Sequence, residues 1–317
     1  MMKKWWESID ESIIAEIINK VNLARYKDHT VEKCRSLFEA LNLTWNEYYY
    51  YRRSNNMLTG FELDKRIDSD AFIQLLQGLN YKQQRYLSMS NELNKLVYLT
   101  PRIMDNSILR SLEYDPNNIT DDIRLKAEEK HTDFIKYFNK LKRDRFISEE
   151  ESIYLKKFIK SFAKLLYLVR SNIAHGEKTP KGPDRNKAAR DENVSGVVSL
   201  LLFFIIDFIF DNPSKSIATY DTLIPGQNNE EIFSKVTGIW TDGFIEGLSY
   251  YDGSGLPAFR WELNSKLVPV KIFQSNQQLE EYEELDKLKG PDYTRIWIPA
   301  KLVNGSKIIT HIYETRY

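Results

Sequence analysis

Asp211-Asn212-Pro213-Ser214 cuts this sequence into two textures. On its N-terminal side, long stretches with almost no Gly or Pro carry apolar residues at helical spacing. On its C-terminal side Gly and Pro become frequent, apolar runs shorten, and β-branched and aromatic residues alternate with polar ones. At 317 residues the chain also exceeds one ordinary core, since single cores stop growing near ~250 residues. The expectation is a two-domain α+β protein, residues 1–211 forming an all-α bundle and residues 216–317 a small β-barrel-like domain.

Immediately upstream of the boundary a helix is expected over 194–210, and within it residues 197–210 form the most apolar run. It is shorter than the ~18 to 20 residues a membrane span needs and contains Asp207, so it reads as a buried core helix with no membrane partner. Before it, Ile153, Leu155, Phe158, Ile159, Phe162, Leu165, Leu166 and Leu168 make a broad apolar helical face. That helix opens at Ser148-Glu149-Glu150-Glu151, a capping-box pattern, and stops at Gly176, a natural C-terminal cap. The same periodicity predicts helices over 13–23, 31–51, 70–79, 84–99 and 120–141. Downstream, strands are expected over 216–220, 236–240, 243–250, 258–261, 268–273, 294–300 and 306–314, with one helix over 277–288. Short strands with intervening turns suggest a closed or nearly closed sheet.

Charge gives little direction for the whole chain, because 45 Lys plus Arg balance 45 Asp plus Glu. Its distribution says more: residues 217–317 hold ten basic against fourteen acidic residues, which leaves the preceding part positive. Lys140, Lys142, Arg143, Arg145, Lys156, Lys157, Lys160 and Lys164 gather the local excess, either as a solvated helix face or as a track for an RNA backbone. The single cysteine, Cys34, excludes an internal disulfide and fits a reducing compartment as a small core residue. Met1-Met2-Lys3-Lys4-Trp5-Trp6 lacks the apolar run of a secretory signal, so a cytoplasmic location is expected. His29, His131 and His311 have no metal-ligand spacing with one another or with Cys34; each reads as an ordinary surface or half-buried histidine, and neither a metal nor a cofactor is expected.

Arg170 and His175, at the end of the 148–174 helix, are the residues with chemistry to offer. Metal-independent RNA cleavage needs a base for the ribose 2′-hydroxyl, an acid for the leaving oxygen and positive charge on the phosphate. Histidine exchanges protons near neutral pH and arginine grips phosphate in a bidentate fork. Five positions of helix put the two roughly 140° apart, so one copy makes a poor site. Two helix ends meeting across a twofold axis would make a good one, which is a reason to expect a homodimer.

Arg170-Ser171-Asn172-Ile173-Ala174-His175-Gly176, followed by a loop and an apolar helix, resembles the HEPN domain, whose signature is Arg, four to six residues, His. The resemblance implies a dimeric helical bundle and a metal-independent endoribonuclease of toxin or antiviral-defence type. Arg170 would bind phosphate, His175 would be general acid or base, and Asn172 would support them. It also implies an RNA substrate and leaves room for a neutralising antitoxin or a small-molecule trigger. Some members of that family bind nucleotides or partners without cleaving anything, and that alternative stays open.

In the C-terminal part, Tyr220-Asp221-Thr222-Leu223 followed by Gly226 and Asn228 resembles the opening loop of gamma-glutamylcyclotransferase-like proteins. Gly238-Ile239-Trp240, Gly243-Phe244-Ile245-Glu246-Gly247-Leu248, Leu285-Asp286 and Gly290-Pro291-Asp292-Tyr293-Thr294-Arg295 follow in family order. The resemblance implies a ligand pocket at Tyr220, Asp221, Thr222, Leu223 and position 289. A carboxylate stands at that last position in the family and moves the proton during cyclisation; here it is Lys289. An ammonium cannot be the same base without a deeply lowered pKa, and Asp221 puts negative charge where backbone amides would cradle an anion. The domain is therefore expected to be a degenerate sensing, positioning or dimerisation module, with gamma-glutamyl cyclotransferase activity as the remaining alternative.

Overall fold

A computed structural model describes residues 4–58, 68–111, 121–143, 148–174, 185–220, 226, 231–253, 255, 257–276 and 282–316. The chain forms two compact units, Leu23–Ile206, and Met1–Asn22 together with Asp207–Tyr317. Texture divides the sequence where helices give way to strands; contacts divide it differently and give the first 22 residues to the β-rich unit.

The helical unit takes in α1 (Glu11–Tyr26, in part), α2 (Thr30–Ser54), α3 (Asp68–Gln77), α4 (Tyr81–Met89), α5 (Asn91–Ser111), α6 (Asp121–Arg143), α7 (Ser148–Ala174) and most of α8 (Arg185–Ile209). The 84–99 periodicity belongs to two helices, not one. Ser90 adopts extended φ/ψ of −62° and 149°, and its Oγ accepts from Leu93 N–H at 3.2 Å, ending α4 and capping α5. α8 starts nine residues before the expected 194.

α6 and α7 lock through a ladder of phenyl rings. Phe134 lies 5.9 Å from Phe158 and 6.3 Å from Phe162, and the rings of Phe158 and Phe162 stack at 5.8 Å. Trp45 extends the core, 5.0 Å from Phe72 and 6.4 Å from Tyr167. Cys34 is fully buried, a core residue. Within α8, Glu192–Ile209 is long and apolar enough to cross a membrane, with mean hydropathy 1.9. Val198, Leu201, Leu202, Ile205 and Ile206 are nonetheless sequestered, as in a core helix.

The β-rich unit is a six-stranded sheet ordered β3-β2-β4-β1-β6-β5, which β2 closes by also pairing with β5. The strands are β1 (Ser216–Thr219), β2 (Gly238–Tyr251), β3 (Pro257–Trp261), β4 (Leu267–Ser275), β5 (Tyr293–Leu302) and β6 (Lys307–Thr315). The result is a small barrel filled by Ile245, Phe259, Ile272, Ile296, Ile298 and Ile312. All pairings are antiparallel except β1 with β6. The two strands expected over 236–240 and 243–250 are one strand, β2. Asp242 does not interrupt it because its carboxylate pairs with Lys271 directly across the ladder, at 2.6 Å. β2 leaves β4 and turns onto β3 at Gly247, where a Cβ would stand 2.5 Å from the Arg260 carbonyl and the Phe259 ring, so only glycine fits. Two short helices complete the unit, α9 (Glu231–Ser234) and α10 (Tyr282–Lys289).

The N-terminal arm has side-chain reasons to join the barrel. Asn22 Nδ2 donates to the Trp297 carbonyl at 2.9 Å, and Trp297 N–H donates to Asn22 Oδ1 at 2.8 Å, so an amide side chain stands in for a neighbouring strand. Trp6 Nε1 donates to Asp211 Oδ2 at 2.9 Å, and its ring packs edge-on against Phe210. Asp207, buried in an otherwise apolar helix, accepts from Ser214 N–H and Oγ at 2.8 and 2.7 Å, capping the turn that leads into β1.

Candidate functional site

The best-defined polar cluster lies where α10 ends beside the start of β5. Gly290, with φ of +77°, is the left-handed residue that stops α10, its N–H donating to the Asp286 carbonyl at 3.0 Å. That reversal sets Lys289 and Tyr293 around one point. Lys289 Nζ stands 5.1 Å from the ring centre of Tyr293, 5.7 Å from Tyr220 and 5.8 Å from Tyr313. Three aromatic rings around one ammonium hold it electrostatically.

The rings are themselves tied down. Tyr220 Oη donates to the Tyr313 carbonyl at 3.0 Å, and Tyr293 Oη to the Pro257 carbonyl at 3.3 Å. Tyr313 Oη donates to Asp286 Oδ1 at 2.6 Å, while Arg295 Nη2 meets Asp286 Oδ2 at 3.2 Å. Burial first, and then the hydrogen bond to Asp286, push the Tyr313 phenol far above the usual tyrosine range, so it is a neutral donor. The Arg295 guanidinium lies over the Tyr282 ring at 3.8 Å. Lys289 and Arg295 against Asp286 leave the cluster with one net positive charge, which suits an anionic group.

A buried relay backs this cluster. Trp297 Nε1–H donates to His311 Nε2 at 2.9 Å, and His311 Nδ1 is 2.7 Å from Tyr282 Oη, which donates to the Ser216 carbonyl at 3.0 Å. These partners assign a neutral imidazole with its proton on Nδ1. His311 is thus a core residue, 2% exposed, rather than the surface or half-buried one its sequence context suggests.

At the other candidate site, Arg170 and Asn172 fall near the end of α7. Arg170 is half-buried, its guanidinium 5.5 Å from the Tyr167 ring centre. Asn172 is 1% exposed, and neither its Oδ1 nor its Nδ2 has a hydrogen-bond partner among the described residues. His175 lies outside the described residues, as do Asp221, Thr222 and Leu223. Sequence reading reached Tyr220 and Lys289 but assigned no role to Asp286, Tyr293, Arg295 or Tyr313. Three of these lie in stretches already quoted as family-like, and Tyr313 carries no local signal. Among the described residues no three His, Cys, Asp or Glu side chains are grouped to hold a metal ion. A cleft of about 240 Å³ in the same unit, lined by Trp6, Ile14, Phe244, Trp261, Leu267 and Pro299, contains none of the cluster residues.

No family model matches the chain, and no curated protein matches it. Solved structures give likenesses over about a third of it. An aig2-like protein from Mus musculus is 19% identical over 32% of this chain and 77% of its own, with a TM-score of 0.28. The uncharacterized protein PH0828 from Pyrococcus horikoshii is 16% identical over 32% and 78%, at 0.25. The uropathogenic E. coli-specific protein c4763 is 20% identical over 32% and 79%, also at 0.25. At scores below 0.5 these stand as likenesses alone.

Proposed function

We propose that the barrel is a binding module for a small carboxylate-bearing ligand of the γ-glutamyl type, and that it does not cyclise it. The carrying observation is Lys289 Nζ inside the ring of Tyr220, Tyr293 and Tyr313. An ammonium there attracts a carboxylate but has no lone pair to accept a proton. The sequence resemblance of this part to gamma-glutamylcyclotransferase-like proteins points to the same ligand class. Titration calorimetry with a γ-glutamyl dipeptide and with 5-oxoproline tests it. Native protein should bind without releasing product, and Lys289→Met should weaken binding about tenfold, roughly 1.4 kcal/mol. Release of 5-oxoproline by the native chain would make it a cyclotransferase and overturn the assignment.

A second reading concerns the helical unit, and the buried amide of Asn172, two residues from Arg170 and unpartnered among the described residues, favours it, since a buried polar group without a partner costs stability unless something else holds it there. We infer that this end of α7 is half of a dimeric, metal-independent endoribonuclease site in a cytoplasmic protein. Arg170 binds the scissile phosphate. His175 takes the 2′-hydroxyl proton, the 2′-oxygen attacks phosphorus as the P–O5′ bond breaks, and the second copy's protonated imidazole gives the 5′-oxygen its proton, producing a 2′,3′-cyclic phosphate. A neutralising antitoxin or a ligand on the barrel would set when this happens. Sequencing RNA ends from cells expressing wild type or His175→Ala is the test; cyclic-phosphate ends should appear only with wild type, in chelator as well as without it. An equal yield from both would remove His175 from the reaction.

A further inference from the structure

We propose that α6 and α7 together form a docking surface for single-stranded RNA that runs along α7 toward Arg170. Between Ser152 and Ala174 the sequence has five basic residues and no acidic one. On the folded helix, Lys156, Lys157 and Lys160 are exposed and Lys164, Tyr167 and Arg170 half-exposed, so the charges share the solvent face while the phenylalanines fill the other. From Lys156 to Arg170 this stripe is about 21 Å long, at ~1.5 Å per residue. A face of that length with one sign of charge favours a polyanion.

The aromatic content narrows the partner further. At the start of the stripe α6 and α7 interleave lysines with tyrosine rings. Lys140 Nζ stands 4.6 Å from the ring centre of Tyr154, and Lys157 Nζ 5.9 Å from both Tyr154 and Tyr137; Lys136 Nζ is 5.5 Å from Tyr137. Tyr137 and Tyr154 are half-buried. Phosphates that pair with these lysines would bring unpaired bases up to the half-exposed rings, the combination that single-strand binders use. A duplex hides its bases, and an anionic membrane or acidic protein offers none. The phenyl ladder beneath, Phe134 against Phe158 and Phe162, keeps the two helices rigid, so the surface is formed before the strand arrives.

This surface deepens the ribonuclease reading and rests on it for where the strand leads, but strand binding itself does not require cleavage. The test therefore uses full-length His175→Ala protein and fluorescence anisotropy with a labelled single-stranded RNA, the same RNA as a duplex, heparin, and vesicles containing anionic lipid. Lys156→Gln/Lys160→Gln/Lys164→Gln should weaken single-strand binding at least tenfold and flatten its salt dependence by about two in log–log slope, near 0.7 per lost phosphate contact. Lys33→Gln/Lys82→Gln/Lys95→Gln, with the same charge loss elsewhere on the helical unit, should change neither. Tyr137→Leu/Tyr154→Leu should weaken RNA binding several-fold and leave heparin binding intact. Equal affinity for duplex and single strand, preference for the vesicles, or unchanged RNA binding in the stripe variant would each overturn the proposal. Failure of cleavage with binding retained would count only against the Arg170/His175 chemistry.

Discussion

The cluster around Lys289 and the end of α7 handle polar groups in opposite ways. In the barrel, Tyr313 and Arg295 both bond Asp286, and Trp297, His311 and Tyr282 bond in series, at distances between 2.6 and 3.2 Å. At the helix end Asn172 is buried without a partner among the described residues, and Arg170 touches an aromatic face. Groups that bond one another are held in place before any ligand arrives. At the helix end, by contrast, whatever the Asn172 amide bonds to lies outside the described residues. Stability and function should therefore be separable at the helix end and inseparable in the barrel cluster.

The largest effect expected lies in the core that both readings of the helical unit presuppose. Phe162→Ala removes a fully buried ring from the phenyl ladder and should destabilise that unit by about 3–5 kcal/mol. Denaturant unfolding should show the helical transition moving while ligand binding by the barrel persists; loss of both together would mean that the two units are not energetically distinct. Next comes Arg170→Ala. Removing the phosphate fork should lower RNA cleavage by about 10²-fold or more, yet shift unfolding by less than ~0.5 kcal/mol, because the side chain is half exposed and, among the described residues, meets the Tyr167 ring alone. A large loss of stability would show Arg170 to be structural and would break the contrast from that side.

From the barrel side, Asp286→Ala is the matching variant. It strips the acceptor from the Tyr313 hydroxyl and the counter-charge from Arg295, and should cost about 1–3 kcal/mol. The same substitution should release Tyr313 from its position beside Lys289, so ligand affinity should fall with stability. Retained affinity in a destabilised variant would mean that the network supports the fold without shaping the pocket.

How much of this was legible beforehand depended on how local the cause was. α7 runs over Ser148–Ala174 as its pattern predicts, because a long apolar face is written entirely in neighbouring residues. The split at Ser90 was missed because a serine inside an amphipathic pattern looks tolerable until its Oγ is seen capping Leu93. The continuity of β2 through 241–242 was missed because the Lys271 partner of Asp242 is brought close only by the sheet. The bond of Asn22 to Trp297 and the burial of His311 span long sequence separations, so no periodicity could announce them. At the sites, Lys289 and Arg170 were found from motif position, whereas Tyr313 and Asp286 gained their roles from geometry alone.

The smallest effect, and the one that probes the barrel network most finely, concerns Glu314. Its Oε1 accepts from Trp261 N–H at 2.8 Å, so it covers the outer edge of β3. Burial raises its pKa above the usual glutamate range, and this outweighs the opposing influence of the Trp261 hydrogen bond and the Arg260 charge. A carboxyl group whose pKa is raised by folding binds its proton more tightly in the folded state. Its contribution is therefore fully present in acid, below the unfolded value, and is lost as pH climbs through the raised folded value. Glu314→Gln keeps an acceptor for Trp261 and removes the titration. Measured from about pH 4 upward, the stability of wild type relative to this variant should be level in acid, fall as pH rises through the raised value, and then level again. A relative gain with rising pH would mean that Arg260 holds the carboxylate more strongly than burial opposes it, and the edge of β3 would then be closed by an ion pair.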